Sequence, residues 1–297
     1  MEKNLQLAVI LINWNCAADT IKSIGSISLW SRLKAGIFVV DNFSSPEDIL
    51  LLEQSGLSYH LIKNNSNLGY AGACNRGIEI AIGEGYHSVM LLNPDAFVGE
   101  TCVIKLLEFV KQNSRIGVIG PLLDEGGEIY SGGRNIGIYS GTRIRHTSEH
   151  KESQLLEADY VPGTVLVARK DVFLSIGYLD EKYFFSGEIA DFCWRAWSAG
   201  LTCVVYTGCQ AAHLKNIDPR LRETLYNYYI LRNRFLFIRK NFNNTKIIFG
   251  LRWVISGWIQ ILIAVIKRKP DRARALWLGL KDGIQGVYGD RNDQFNI

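Results

Sequence analysis

Asn93-Pro94-Asp95 closes an apolar run, Ser88-Val89-Met90-Leu91-Leu92. A divalent ion that bridges two phosphates wants hard oxygen ligands from a rigid position. Asp95, just past a buried strand, supplies a carboxylate. Asn93 adds an amide oxygen or a hydrogen bond, and Pro94 stiffens the turn. Taken alone, the tripeptide reads rather as a turn that only ends a strand. Further on, Glu188 and Asp191 stand three residues apart at the start of a helical stretch. They share one face there, and a helix N-terminus favours their ionised forms. Asp191 also lies four residues before Arg195, the spacing of a structural ion pair.

These groups need a frame. Apolar runs at 7–12, 36–40, 59–62 and 88–92 read as strands, and 17–28 and 73–82 have helical spacing. Buried strands separated by helices predict a mostly parallel sheet covered on both faces. Asn13, Asp41 and Asn93 each follow an apolar run. In open α/β sheets, ligands bind outside the carboxyl ends of the strands. Residues 124–156, rich in Gly, Ser and charge, read as loops near the site. A strand-like run follows at 160–168, then helices at 171–176 and 188–199 closed by Gly177 and Gly200, and a late strand at 201–206. The tail reads as helices at 220–240, 246–268 and 273–287.

Four segments occur in order: Asn13-Trp14-Asn15; Val39-Val40-Asp41-Asn42-Phe43-Ser44-Ser45; Asn67-Leu68-Gly69-Tyr70-Ala71 with Asn75 and Gly77; and Leu91-Leu92-Asn93-Pro94-Asp95. Downstream stand Pro162-Gly163-Thr164, Ile176-Gly177-Tyr178-Leu179-Asp180-Glu181, Phe184-Phe185, Asp191-Phe192-Cys193-Trp194-Arg195-Ala196 and Arg232-Asn233. Over residues 6–240 this ordered set resembles the family-2 glycosyltransferases of the GT-A fold. Within them it is most similar to the bacterial rhamnosyltransferase-like branch, whose metal motif is often Asn-Pro-Asp. The resemblance implies an α/β, Rossmann-like, mostly parallel sheet flanked by helices.

It also implies roles. A nucleoside-diphosphate sugar would be bound by Asn13, Trp14, Asp41, Asn67, Gly69, Tyr70, Asn75, Asn93 and Gly163. Asp41 would hydrogen-bond the base or ribose, and the Trp14 ring would stack on the base unless it serves the core. Gly69, Gly72 and Gly77 would allow close backbone approach. Their spacing makes no GxGxxG, so a dinucleotide site is not expected. Asp95, with His213 after the late strand, would hold Mg²⁺ or Mn²⁺ across the donor diphosphate; a solvent-facing histidine is the plainer reading of His213. An inverting transfer needs a carboxylate to deprotonate the acceptor hydroxyl. The family pattern there is Glu-Asp-x-Asp, whereas this chain has Glu188-Ile189-Ala190-Asp191. Ile189 stands where the usual Asp would be. Glu188 becomes the first candidate for the base and Asp191 the second.

The 297 residues suffice for a catalytic domain over 1–215, with nucleotide-sugar binding in 1–100 and the acceptor and catalytic part in 101–215. Residues 216–297 would form a helical extension. Residues 1–214 carry 17 Lys+Arg against 23 Asp+Glu, and residues 215–297 carry 16 against 6. A basic tail on a mildly acidic body suits an anionic surface. Residues 247–266 are the most apolar stretch and, as a helix, would span about 30 Å. An interfacial helix on anionic lipid is the leading reading. A transmembrane anchor and a helix packed on protein are the others. The interfacial reading fits a polyprenyl-diphosphate-linked glycan or polysaccharide acceptor.

The N-terminus shows no signal-peptide pattern, so the enzyme is expected in the cytoplasm, and the basic helical tail adds the expectation of a peripheral seat on the inner face of the cell membrane. Six cysteines without a CxxC pair read as buried free thiols. No nucleic-acid partner is expected, and a homodimer is left open. A nucleotidyltransferase would want a Gly-rich, Arg/Lys-bearing loop after the first strand, where this chain has Asn13-Trp14-Asn15-Cys16. A non-catalytic scaffold with a degraded site finds its support in Ile189.

Overall fold

The computed structural model describes residues 7–133, 143–145, 154–214 and 219–295. Its elements run β1 (Leu7–Asn13), α1 (Ala17–Ser28), β2 (Ala35–Asp41), α2 (Pro46–Glu53), β3 (His60–Lys63), α3 (Gly69–Gly83), β4 (Ser88–Leu92), β5 (Ala96–Val98), α4 (Glu100–Gln112), β6 (Ile116–Asp124), β7 (Ile129–Gly133), β8 (Arg143–Arg145), β9 (Leu155–Glu157), β10 (Val165–Arg169), α5 (Lys170–Ile176), α6 (Glu188–Ser198) and β11 (Thr202–His213). A short helix α7 (Pro219–Leu221) passes through a π-helical turn, Arg222–Tyr226, into α8 (Asn227–Asn241). Then come α9 (Lys246–Ile266) and α10 (Pro270–Gln285).

The sheet order is β3-β2-β1-β4-β10-β6-β11-β5. β3, β2, β1 and β4 are parallel, as the four apolar runs predict. β10 runs antiparallel between β4 and β6, while β11 returns parallel to β6, so the sheet is mixed. The strand period of two sorts the core. Leu7, Val9 and Leu11 face the layer of α1, α2 and α4, while Ala8 and Ile10 face that of α3, α5 and α6. α3 lies close enough on β1 that a Cβ on Gly77 would come within 2.7 Å of Ile10. The expected 124–156 loop region contains β7, β8 and β9; residues 134–142 and 146–153 lie outside the described set.

Two features correct the sequence reading. Cys102 on α4 and Cys209 on β11 form a disulfide, with Cα atoms 5.7 Å apart, so not all six cysteines are free. The partners are 107 residues apart, and only the packing of α4 beside β11 brings them together. Cys16, Cys74, Cys193 and Cys203 are free thiols, the last three buried. The tail helix expected over 220–240 is divided, with the π turn ahead of α8.

The C-terminal helices pack tightly among themselves. A Cβ on Gly279 of α10 would stand 2.6 Å from the Tyr228 carbonyl of α8. Tyr228 donates to Asp282 at 2.6 Å. α8 also grips the body: Arg232, fully buried, donates to the carbonyls of Tyr183 and Gly289 at 2.8 and 2.6 Å. Asn233 donates to those of Tyr183, Phe185 and Ser186 at 2.9, 2.8 and 2.6 Å. α9 buries only Trp253, Gly257 and Ala264. Its outer face exposes Ile248, Leu251, Ile255, Trp258, Ile259 and Leu262.

Candidate functional site

The carboxyl ends of β1 and β2 hold a polar knot. Asn13 is fully buried and donates to Asp41 at 3.0 Å, Ser44 at 3.1 Å and Asp48 at 2.7 Å, while its oxygen accepts from Thr20 at 2.8 Å. Asp41, also fully buried, accepts from Asn13 and from the Ser44 amide at 3.2 Å. Asn42 donates to Asn67 at 2.8 Å and accepts from Asn64 and the Leu68 amide, each at 3.0 Å. These bonds fix the turn that leads into α3. Asn75, two turns along α3, is bound in both directions to the Leu179 backbone and donates to Glu181, all at 2.9 Å. The side chains of Asn13 and Asn75 are thus framework groups in this structure. Trp14 is half-buried and packs against the cluster of Phe184, Leu225, Tyr228, Tyr229, Ala275 and Phe295.

Gly69 opens α3 at φ +71°, and a Cβ there would stand 2.3 Å from the Phe184 carbonyl oxygen. That carbonyl accepts from the Tyr70 amide at 2.7 Å. Phe184, Ser186 and Gly187 all have positive φ, so the 184–187 turn is held in a left-handed path that only Gly adopts without strain. α3 grips this turn from one side and Arg232-Asn233 from the other, which sets where α6 begins.

A cleft of about 410 Å³ opens beyond it. Tyr70, Asn93, Gly163, Glu188, Ile189 and His213 are among its lining residues. Tyr70 donates to the Gly163 carbonyl at 3.3 Å, and the Asn93 amide donates to the Thr164 carbonyl at 2.9 Å. Antiparallel pairing of β11 with β5 sets His213 opposite Ala96, beside Asp95. His213 Nε2 lies 3.4 Å from Asp95 Oδ1, and its Nδ1 lies 2.8 Å from Glu125 Oε1. Burial alone would lower the imidazole pKa, but hydrogen bonds and charge from Asp95 and Glu125 prevail and raise it. Glu125 thus orients the ring and leaves Nε2 facing Asp95, an arrangement typical of a metal-ligating histidine.

Glu188 is the first residue of α6 and 5% exposed. Burial pushes its carboxyl up to about 7, with a smaller contribution from Asp191. Its Oε2 is buried without a hydrogen-bond partner. A carboxyl with an open acceptor position, titrating near neutrality in a cleft, is fitted to take a proton. Asp191 is turned the other way. It is fully buried and is bound by Lys240 at 2.7 Å, Arg195 at 2.9 Å and the Tyr183 hydroxyl at 3.2 Å. Arg195 goes on to the carbonyls of Ile176, Gly177 and Tyr178. The spacing of Asp191 and Arg195 is therefore a structural pair in the folded chain.

The structure brings Tyr70, Asn93, Gly163, Glu188 and His213 to one cleft, with Asp95 against His213. It places Asn13, Asp41, Asn67 and Asn75 in the hydrogen-bonded frame next to it. Glu125, Arg232 and Asn233 went unassigned in the sequence. The Gly-rich run after Glu125 read as loop, and nothing in local spacing ties Glu125 to His213, 88 residues on.

The chain is similar to several known glycosyltransferases. A low-salt glycan biosynthesis hexosyltransferase of Haloferax volcanii is 30% identical over 95% of this chain and 92% of its own. An N-acetylglucosaminyl-diphospho-decaprenol L-rhamnosyltransferase of Mycobacterium tuberculosis is 25% identical over 70% of this chain and 76% of its own. A mannosyltransferase from Pyrobaculum calidifontis, solved with GDP-Man and Mn²⁺, superposes with a TM-score of 0.62 at 10% identity, over 96% of this chain and 89% of that one. The fold is thus of the GT-A kind. Residues 8–174, more than half of the chain, match glycosyl transferase family 2, and the protein belongs to that family.

Proposed function

We propose that the chain is an inverting, metal-dependent glycosyltransferase of bacterial cell-surface glycan assembly. Its donor is a nucleoside-diphosphate sugar, dTDP-rhamnose first among them, and its acceptor is a lipid-linked glycan or polysaccharide. The observation that carries this reading is Glu188: a buried carboxyl with an open oxygen, in the same cleft as Asn93 and His213. The rhamnosyl and diphospho-lipid chemistry in the name of the mycobacterial relative supports the choice of donor and acceptor.

Asp95 and His213 offer one hard oxygen and one imidazole nitrogen, braced by Glu125. Among the described residues no group of three His, Cys, Asp or Glu is placed to hold an ion. Two protein ligands suit an Mg²⁺ or Mn²⁺ whose remaining positions are filled by diphosphate oxygens. When bound, such an ion would neutralise charge on the departing nucleoside diphosphate. Glu188 takes the proton of the acceptor hydroxyl as that oxygen attacks the anomeric carbon. The bond from that carbon to the diphosphate breaks, and the nucleoside diphosphate leaves with the electron pair. The frame around Asp41 and Asn67 supports the nucleoside end, and Gly163 and Tyr70 shape the wall between.

The exposed apolar face of α9, with Lys267, Arg268 and Lys269 at its end, supports a peripheral seat on the cytoplasmic face of an anionic membrane. The test is nucleoside diphosphate release from a panel of donor sugars with Mg²⁺ or Mn²⁺, then with EDTA. Release from a rhamnosyl donor, lost in EDTA and in Asp95→Asn or His213→Ala, is expected. Turnover that survives EDTA sinks the metal assignment, and silence with every donor sinks the reading.

A further inference from the structure

α8 turns one face toward the cleft. Ile230, Asn233, Arg234 and Phe237 line it, continuing from Tyr226 just before the helix, at the four- and seven-residue intervals of one helical side. Asn233 already donates to three carbonyls of the 183–186 turn. Of the described residues that line the cleft, Arg234 is the sole Arg or Lys. Ile230 precedes it by one turn and Phe237 follows it by three residues, so the cleft wall on this face carries an apolar residue on either side of Arg234 along the helix.

The far side of Arg234 leads to α9. Its guanidinium carbon lies 3.8 Å from the centroid of the Trp253 ring. Trp253 is one of the three buried residues of α9, whose opposite face is the exposed apolar one. Arg234 therefore joins the cleft to the helix whose outer face is apolar. Burial pushes its guanidinium down to about 10. A cation in such surroundings gains more from an incoming anion than one in water.

We propose that Arg234 is the anion subsite of the acceptor: it receives the diphosphate of a lipid-linked acceptor, with Ile230 and Phe237 flanking the start of the apolar chain. This rests on the transferase reading above and names the part of the acceptor that the cleft recognises. The planar fork of arginine suits two phosphate oxygens, and the ring beneath fixes its plane. A phospholipid headgroup carries related chemistry, so the test separates the two sources.

The probe is farnesyl diphosphate, titrated calorimetrically into the full-length protein in EDTA. Farnesol is the uncharged control, and phosphatidylglycerol vesicles are the headgroup control. The wild type should bind farnesyl diphosphate at least tenfold more tightly than farnesol. Arg234→Gln should erase that preference, while Asp95→Asn, which alters the donor side, should keep it. Should Arg234→Gln fold poorly, Ile230→Glu sets a carboxylate one turn from Arg234 and should also erase the preference. Equal binding of farnesyl diphosphate and farnesol by the wild type overturns the proposal. So does an undiminished preference in Arg234→Gln or Ile230→Glu, and so does a loss confined to the vesicles. Failure of the transferase reading would show separately, as wild-type protein that releases no nucleoside diphosphate from any donor.

Discussion

Replacing Glu188 by Gln should stabilise the protein while it sharply lowers turnover, and the stabilisation should depend on pH. The carboxyl titrates at about 7 in the folded chain against 4.5 for the free side chain, chiefly because it is buried. Below pH 4.5 both folded and unfolded chains hold the proton, and the residue costs nothing. As pH rises past 4.5 the unfolded chain ionises first, and folding is progressively disfavoured until the folded carboxyl ionises near 7. Above that the penalty is constant at about 3 kcal/mol, from 1.36 kcal/mol for each pKa unit. The amide of Glu188→Gln would not ionise and would escape the penalty. The melting temperature of the variant minus that of the wild type should therefore grow between pH 5 and pH 8, by roughly 5 °C for a domain of this size. Taking the difference cancels the other groups that titrate over the same range. Wild-type turnover should rise through pH 7 as the carboxylate form fills. Turnover of the variant should be lower by roughly two to four orders of magnitude and flat there. Thermal unfolding and nucleoside diphosphate release on the same preparations give both readouts. A melting difference that is equal at pH 5 and pH 8, or a variant that turns over like the wild type, refutes the assignment of Glu188.

Asp191→Asn should do the opposite. Removing a fully buried charge shared by Arg195, Lys240 and Tyr183 should cost about 3–5 kcal/mol of stability in chemical denaturation. The folded fraction should keep its specific activity; a stable but inactive variant would move the base to Asp191. Gly69→Ala forces a side chain onto positive φ and against the Phe184 carbonyl, and should cost about 2 kcal/mol or more. An unchanged melting temperature would show that the 184–187 turn yields freely. In α9, Ile255→Glu with Leu262→Glu replaces two side chains that are 61% and 60% exposed, so the melting temperature should hold. Sedimentation with anionic liposomes should fall by roughly 100-fold in affinity if that face meets lipid; undiminished sedimentation would take α9 off the membrane.

What the sequence reveals follows the range of the forces involved. α1 and β4 form over the very residues their patterns predict, because each is decided by its own burial period. β6 is harder to see, since Gly117, Gly120 and Pro121 interrupt its apolar run; it is a strand because β10 and β11 pair with it on both sides. The site divides in the same way. Asp95 and Glu188 are candidates in the sequence because each sits at an element's end. Asn13 and Asn75 sit in equally suggestive places, yet the fold spends their amides on Asp41, Asp48 and Leu179. Only the partners distinguish a ligand-facing asparagine from a framework one, and partners 28 to 104 residues away leave no trace in local spacing.

Ile189 is the residue at which sequence and structure inform each other most. Where the family pattern calls for Asp, its side chain is buried in the core around Phe192 and Val161, and a Cβ on Gly163 would meet it at 2.8 Å. A second carboxylate at that position would raise the Glu188 pKa by like charge. The apolar side chain lines the cleft next to Glu188 instead, and burial is the leading cause of the raised Glu188 pKa. Among the described residues that line the cleft, Glu188 is the one Asp or Glu, with one open oxygen, so the proposed base would need no second carboxyl to share its proton.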